Sequence, residues 1–295
     1  MNTGLTLLKA AAIAVAFSAS AAYASLQAGV AVTGEYDSNV LPDPDLETET
    51  AAAWGQRWSA YAGLSGAWPE SLQWQARYDI SRSHWADVEG FDSTMQSGFL
   101  RVSRNGRWSP ELSVLAADAH VDGADFLQLL RVSPATGYLI SRHWYTRMQL
   151  DLSRKTFLDY PDRDSDQWYA RGMLYWLLDK TRRYVSVQLG AKHEDASNDL
   201  YSYRALTGRL RWKHTFGPIR WDLSARMEQR DYEEIRAALG EPRKDQRLRL
   251  STGIECPLGK GFSISAEAGR DIYHSNLDVA DYSQNRAEVS LSWDY

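Results

Sequence analysis

Two strings in the 295-residue chain set a histidine ahead of a Ser-Asn pair, and His with Ser is the pairing from which nucleophilic hydrolysis is built. In Tyr273-His274-Ser275-Asn276 the two are adjacent, and neighbours on an extended strand point to opposite faces. In His193-Glu194-Asp195-Ala196-Ser197-Asn198 they share a face but stand ~13 Å apart if the string is extended. Neither string sets a base against a nucleophile, so no catalytic residues are expected. Ser-Asn also occurs in Asp37-Ser38-Asn39, and these side chains favour turns by bonding to their own backbone. The acids Asp37, Asp43, Asp45, Glu47 and Glu49 could attract a divalent cation or a basic partner. Their spacing matches no calcium loop, so no metal and no cofactor is expected. Cys256 is the one cysteine; it can form no internal disulfide and reads as a small apolar residue.

The other charged residues are organised by spacing. Arg77, Arg171, Arg209, Arg211, Lys213, Arg226, Glu228, Arg247, Arg249, Glu255, Glu267 and Glu288 are assigned to the polar faces of strands, and several of those strands have an apolar opposite face. Asp79 shares the face of Arg77. These residues are expected to line a polar interior. They either border an aqueous passage that favours anionic groups or pair across it and plug it.

What must position them is a set of strands with strict alternation. At the end of the chain Ala287, Val289, Leu291, Trp293 and Tyr295 alternate with Arg286, Glu288, Ser290, Ser292 and Asp294. Leu248, Leu250, Thr252 and Ile254 alternate with Arg247, Arg249, Ser251 and Glu255, and Leu206, Gly208, Leu210 and Trp212 with Thr207, Arg209, Arg211 and Lys213. The runs 221–228 and 72–81 repeat the pattern. A charge facing the middle of a bilayer costs ~2 to 4 kcal/mol, so charge-free apolar faces are what lipid contact enforces. The chain has a net charge of −5, which disfavours a nucleic-acid partner. Mean hydropathy is −0.47 and, past residue 24, no apolar run is long enough for a membrane helix, whereas a membrane strand needs only alternate apolar residues.

Fourteen strands are predicted, centred near residues 31, 62, 76, 99, 114, 130, 149, 173, 188, 209, 225, 250, 267 and 290. The fifth and sixth alternate poorly and Pro134 follows the sixth centre, so twelve strands is the alternative. Short connections carry turn residues at 69–71, Asn105-Gly106, Ser141-Arg142, Asp179-Lys180, Gly217-Pro218 and 259–261. Longer polar connections are expected at 37–53, 84–92, 118–125, 159–166, 193–202, 231–245 and 274–285. Alternation of short and long connections is the habit of an outer-membrane barrel. Trp58, Trp68, Trp74, Trp144, Trp176, Trp212, Trp221, Trp293 and Tyr295 are expected at the membrane interfaces, where an amphipathic ring is favoured.

The first residues read as a signal peptide, with Lys9, an apolar run from Ala10 to Ala22 and cleavage expected after Ala24. Residues 25–295 are then an all-β, up-and-down transmembrane barrel of the Gram-negative outer membrane, in contact with its lipids and lipopolysaccharide. The final strand, with its terminal aromatic, resembles the signal read by the barrel-assembly machinery.

Gly34-Glu35-Tyr36-Asp37-Ser38-Asn39-Val40, together with the later Ser-Asn strand ends followed by Tyr201 and Tyr282, resembles the C-terminal barrel domain of surface lipoprotein assembly modifiers over residues 26–295. The resemblance implies export or surface assembly, with a surface lipoprotein as partner, and assigns no site residue. The residues themselves leave open a monomeric porin for small solutes, anionic ones among them. An outer-membrane lipid hydrolase is the third reading, for which the His-x-Ser-Asn motif of such enzymes is not matched.

Overall fold

A computed structural model describes residues 24–40, 51–68, 71–86, 88–237 and 239–295. The expected signal peptide, the acids Asp43, Asp45, Glu47 and Glu49, and two residues of the first short turn lie outside them. Alternation of side chains predicts strands, and strands are what form: β1 (Ser25–Asp37), β2 (Ala53–Ala67), β3 (Leu72–Trp85), β4 (Ser93–Arg104), β5 (Trp108–Val121), β6 (Ala124–Ser141) and β7 (Trp144–Phe157). They continue as β8 (Ser165–Asp179), β9 (Arg183–Ala196), β10 (Tyr203–Phe216), β11 (Ile219–Arg236), β12 (Glu241–Gly259), β13 (Phe262–Ser275) and β14 (Tyr282–Asp294). Each pairs antiparallel with its neighbour in sequence, and β1 pairs with β14 from Gly29 opposite Asp294 to Asp37 opposite Arg286, closing the barrel. Fourteen strands ~4.8 Å apart and tilted ~40° make a backbone cylinder ~28 Å across.

The cylinder is inverted relative to a soluble core. Val30, Leu189, Leu206, Leu210, Leu250 and Val289 are exposed on its outside, while Glu35, Asp151, Glu228 and Asp271 are buried within. Ion pairs identify the inner side. Lys155 on β7 reaches Glu194 on β9, and Lys192 on β9 reaches Glu228 on β11. Side chains can meet over an intervening strand only on the concave face. On the convex face, charged residues such as Arg154, Asp166, Arg204 and Asp231 stand near the long-connection end; below them, apart from Arg270 opposite Leu250, the described strands present only uncharged residues until the short turns. The uncharged band matches the ~25 Å apolar height of such barrels. At its lower border Trp68 meets Trp74 at 6.3 Å, Trp144 stacks on Trp176 at 6.1 Å and Trp212 meets Trp221 at 5.0 Å. Trp293 and Tyr295 stand at the same end, Trp58 near the opposite one.

Three expectations need correction. The weak fifth and sixth strands are full members, so the twelve-strand alternative falls. Pro134 sits inside β6, opposite Leu112, on the lipid face. The connection expected at 118–125 is a tight Asp122-Gly123 turn with φ of 50° and 78°, the left-handed pair that a two-residue hairpin demands. The connection expected at 231–245 is mostly strand as well, because β11 and β12 run on to Arg236 and from Glu241.

Candidate functional site: the barrel interior

Register builds the inner wall row by row. Arg209 stands opposite Arg226, Arg226 opposite Arg249 and Arg249 opposite Asp271, a transverse row over β10 to β13. The row toward the long connections holds Thr207, Glu228, Arg247 and Tyr273; the row toward the short turns holds Arg211, Ser224, Ser251 and Gly269.

Two buried carboxylates anchor this region. Asp271, 2% exposed, accepts from Arg247 Nη2 at 2.6 Å, from Arg249 Nε at 2.6 Å and Nη2 at 2.7 Å, and from Arg286. Glu228, 3% exposed, accepts from Lys192 Nζ at 2.9 Å, Arg226 Nη2 at 2.9 Å and Arg230 Nε at 2.7 Å. Each carboxylate therefore faces three cations, of which Arg286 also lies 3.9 Å from Asp37 and Arg230 stands opposite Asp245. Between them Arg209 reaches only Ser224 Oγ, at 3.5 Å, with no carboxylate at ion-pair distance among the described residues. Lys213 is opposite Asp222, but Arg211 takes that carboxylate at 2.6 Å.

The remaining sequence candidates lie on other parts of the inner wall. Arg77 pairs with Asp79 and covers the Tyr61 ring at 3.8 Å. Arg171 meets Asp151 at 3.1 Å, and Arg220 holds Glu255. Glu267 is opposite Glu288, and Glu288 opposite Glu35, an acidic row bridged by Arg57 at 2.7 Å from Glu288 and 3.0 Å from Glu35. Sequence reasoning passed over Asp271, Asp151, Lys192, Glu194 and Glu111. Asp271 lay within reach of it, because it shares the parity of Glu267 on the same strand.

Among the described residues the interior ion pairs run along the wall, to the same strand, the next one or the one beyond. At a ~28 Å diameter, side chains from opposite walls are too short to meet. The charged residues therefore border the interior without pairing across it.

The wall at β4 to β6 is different. Met95, Phe99, Leu115, Ala117, Leu127 and Leu129 share the inner face, by the register that places Phe99 opposite Leu115 and Ala117 opposite Leu129. Apolar residues on both faces erase the period of two, which is why these strands read poorly in the sequence.

The hydrolytic strings are separated by the fold. His274 is outside, 3.7 Å from Asp281, whereas Ser275 is inside and donates to Asp245 Oδ1 at 2.7 Å. His193 is outside near Glu233, and Ser197 lies beyond the end of β9. Asn198 Oδ1 accepts from Leu200 N–H and Ser275 Oγ from Leu277 N–H, so these residues shape turns. No group of three or more metal-ligating side chains occurs among the described residues. Cys256 is a free thiol beside the last short turn.

A polar interior enclosed by a closed barrel with an apolar outer band is the architecture of an outer-membrane barrel. The protein is a Gram-negative outer-membrane barrel. OmpT of Vibrio cholerae superimposes with a TM-score of 0.54 and 8% identity over 92% of this chain and 97% of its own. An anion-selective porin from Comamonas acidovorans does so with 0.51 and 7%, over 92% and 99%. At these identities the likeness is one of fold. No family model matches the chain, and no curated protein does.

Proposed function

We propose that the barrel is a passive pore for small anionic solutes, without a catalytic role of its own. The observation that carries this reading is the positive surplus of the β9–β13 wall, where Asp271 and Glu228 each face three cations and Arg209 has no carboxylate at ion-pair distance among the described residues. A cation held at the wall by a protein carboxylate is neutralised; a surplus cation in water attracts a mobile anion and raises its local concentration. The Comamonas porin of similar fold is described as anion-selective, which is consistent with this reading and does not establish it.

Planar-bilayer recording tests the proposal. The folded barrel should give a steady conductance whose reversal potential in a salt gradient favours anions, and Arg209→Gln with Arg226→Gln and Arg249→Gln should reduce that preference several-fold. A barrel that inserts but stays electrically silent overturns it. Surface lipoprotein assembly is the competing proposal. It rests on the Ser-Asn strand ends, and it calls for a silent barrel together with a client lipoprotein that fails to reach the surface when the protein is deleted.

A further inference from the structure

The pore reading leaves the apolar part of the inner wall without a purpose. Side chains bordering water gain little stability from being apolar, since burial of apolar surface is what stabilises. Met95 is nevertheless 51% exposed on the inner face, in one row with Ala119 and Leu127, and two rows nearer the short turns Phe99 and Leu115 lie side by side between Arg77 and Arg131. In a ring of fourteen strands β5 is diametrically opposite β12, so this patch faces the wall that carries Arg226, Arg249 and Arg247. Counted from the short turns, Phe99 and Leu115 stand close to the height of Arg209 and Arg226, and Met95 close to that of Arg249. Subtracting side-chain reach from the ~28 Å cylinder leaves ~12 Å between the guanidinium tips and the apolar tips.

We infer that the pore selects amphipathic organic anions, with the anionic group on the β10–β12 arginines and an apolar chain lying on the β4–β6 patch. This rests on the pore reading and specifies its solute. Charge complementarity fixes one end of the occupant and the apolar patch the other, and the gap between them is about the length of a medium-chain carboxylate. A small inorganic anion uses only the first wall. A cationic amphiphile of the same length meets the arginines with the wrong sign.

The test uses the complete folded barrel in planar bilayers carrying chloride current, with octanoate and acetate as probes and protein-free bilayers as the control for octanoate alone. Octanoate should reduce the chloride current at a concentration about tenfold or more below that at which acetate does, because only the longer chain gains apolar contact. Met95→Ser with Leu115→Ser should keep the chloride conductance and bring the two carboxylates together. Octylammonium should not block. A chloride current equally insensitive to octanoate and acetate overturns this inference and leaves the pore standing; absence of any current overturns the pore itself. The comparison of probes on the parent barrel decides the matter even if the double variant fails to fold.

Discussion

Replacing Asp271 by Asn removes one charge from under three guanidinium groups, and the structure sets what that should cost. Asp271 is 2% exposed and takes bonds of 2.6 to 2.7 Å from Arg247 and Arg249, with Arg286 as a third donor. Arg247 retains its stack on Tyr273, at 4.5 Å, and Arg286 keeps Gln284 Oε1 at 3.4 Å. Arg249 depends on Asp271 most. Breaking a buried pair by removing one member costs ~3 to 5 kcal/mol, and water in the interior places this case near ~3 kcal/mol. For a chain of this size ~3 kcal/mol corresponds to a fall in Tm of roughly 6 to 10 °C. Thermal unfolding of the detergent-folded barrel, followed by its β-sheet circular dichroism, measures it. Asp271→Asn should lose that stability in low salt and recover a large part when phosphate or sulfate is added, because a mobile anion can take the place of the lost carboxylate. The parent should show little such response. A variant within ~0.5 kcal/mol of the parent in low salt, or one whose loss ignores added anions, would refute the assignment of a positive surplus to this wall.

Further outcomes follow from the outer face, the seam and one loop. Ile254→Arg should cost ~2 to 4 kcal/mol in refolding into lipid vesicles, whereas Gln246→Arg, four steps up the same face, should cost ~1 or less. Equal costs would contradict the placement of the membrane. At the β1–β14 seam, a Cβ on Gly29 would meet Asp294 Oδ1 at 2.6 Å and the Trp293 carbonyl at 2.9 Å. Gly29→Ala should therefore destabilise by ~1 to 3 kcal/mol and slow closure, measured as the fraction of heat-modifiable folded species on a gel. In the connection before β4, Asp92 accepts from His84 Nδ1–H at 2.7 Å and from the Trp85 amide at 3.1 Å, and the His84 bond holds its carboxyl below the usual range. Its folded value lies below the unfolded one, so its contribution is present above ~pH 3.9 and is lost as pH falls through the folded value. A carboxyl-carbon NMR titration should show a depressed midpoint in the parent and a higher one in His84→Ala; identical midpoints would rule out the histidine as the cause.

The legible part of the fold and the illegible part differ for one reason. Where one face of a strand meets hydrocarbon and the other water, as in Ala287 to Tyr295 or Leu248 to Ile254, the demand is local and repeats every second residue, so the chain itself records it. At β5 and β6 the inner face turns apolar at Leu115, Ala117, Leu127 and Leu129 and the record fades there, although the strands are as regular as the rest. The Asp122-Gly123 turn was written in plain residues too, but the polar run around it, from Asp118 to Asp125, resembled a long loop.

The interior was readable only as a list of charges. Parity alone assigned Arg209, Arg226, Arg249 and Glu228 to the polar face, because a side chain's face is decided by its own strand. Which charges meet is decided by register and closure. Glu228 gathers Lys192 from two strands away, and Arg57 bridges to Glu288 across the seam, a separation of 231 residues. The opposition of an arginine wall and an apolar wall is likewise a property of the ring, since β5 and β12 become opposite only when fourteen strands close. Sequence by itself determined what each strand shows to lipid and to water; only the closed tertiary structure decided which wet faces confront one another, because that relation belongs to the circumference and to no single segment.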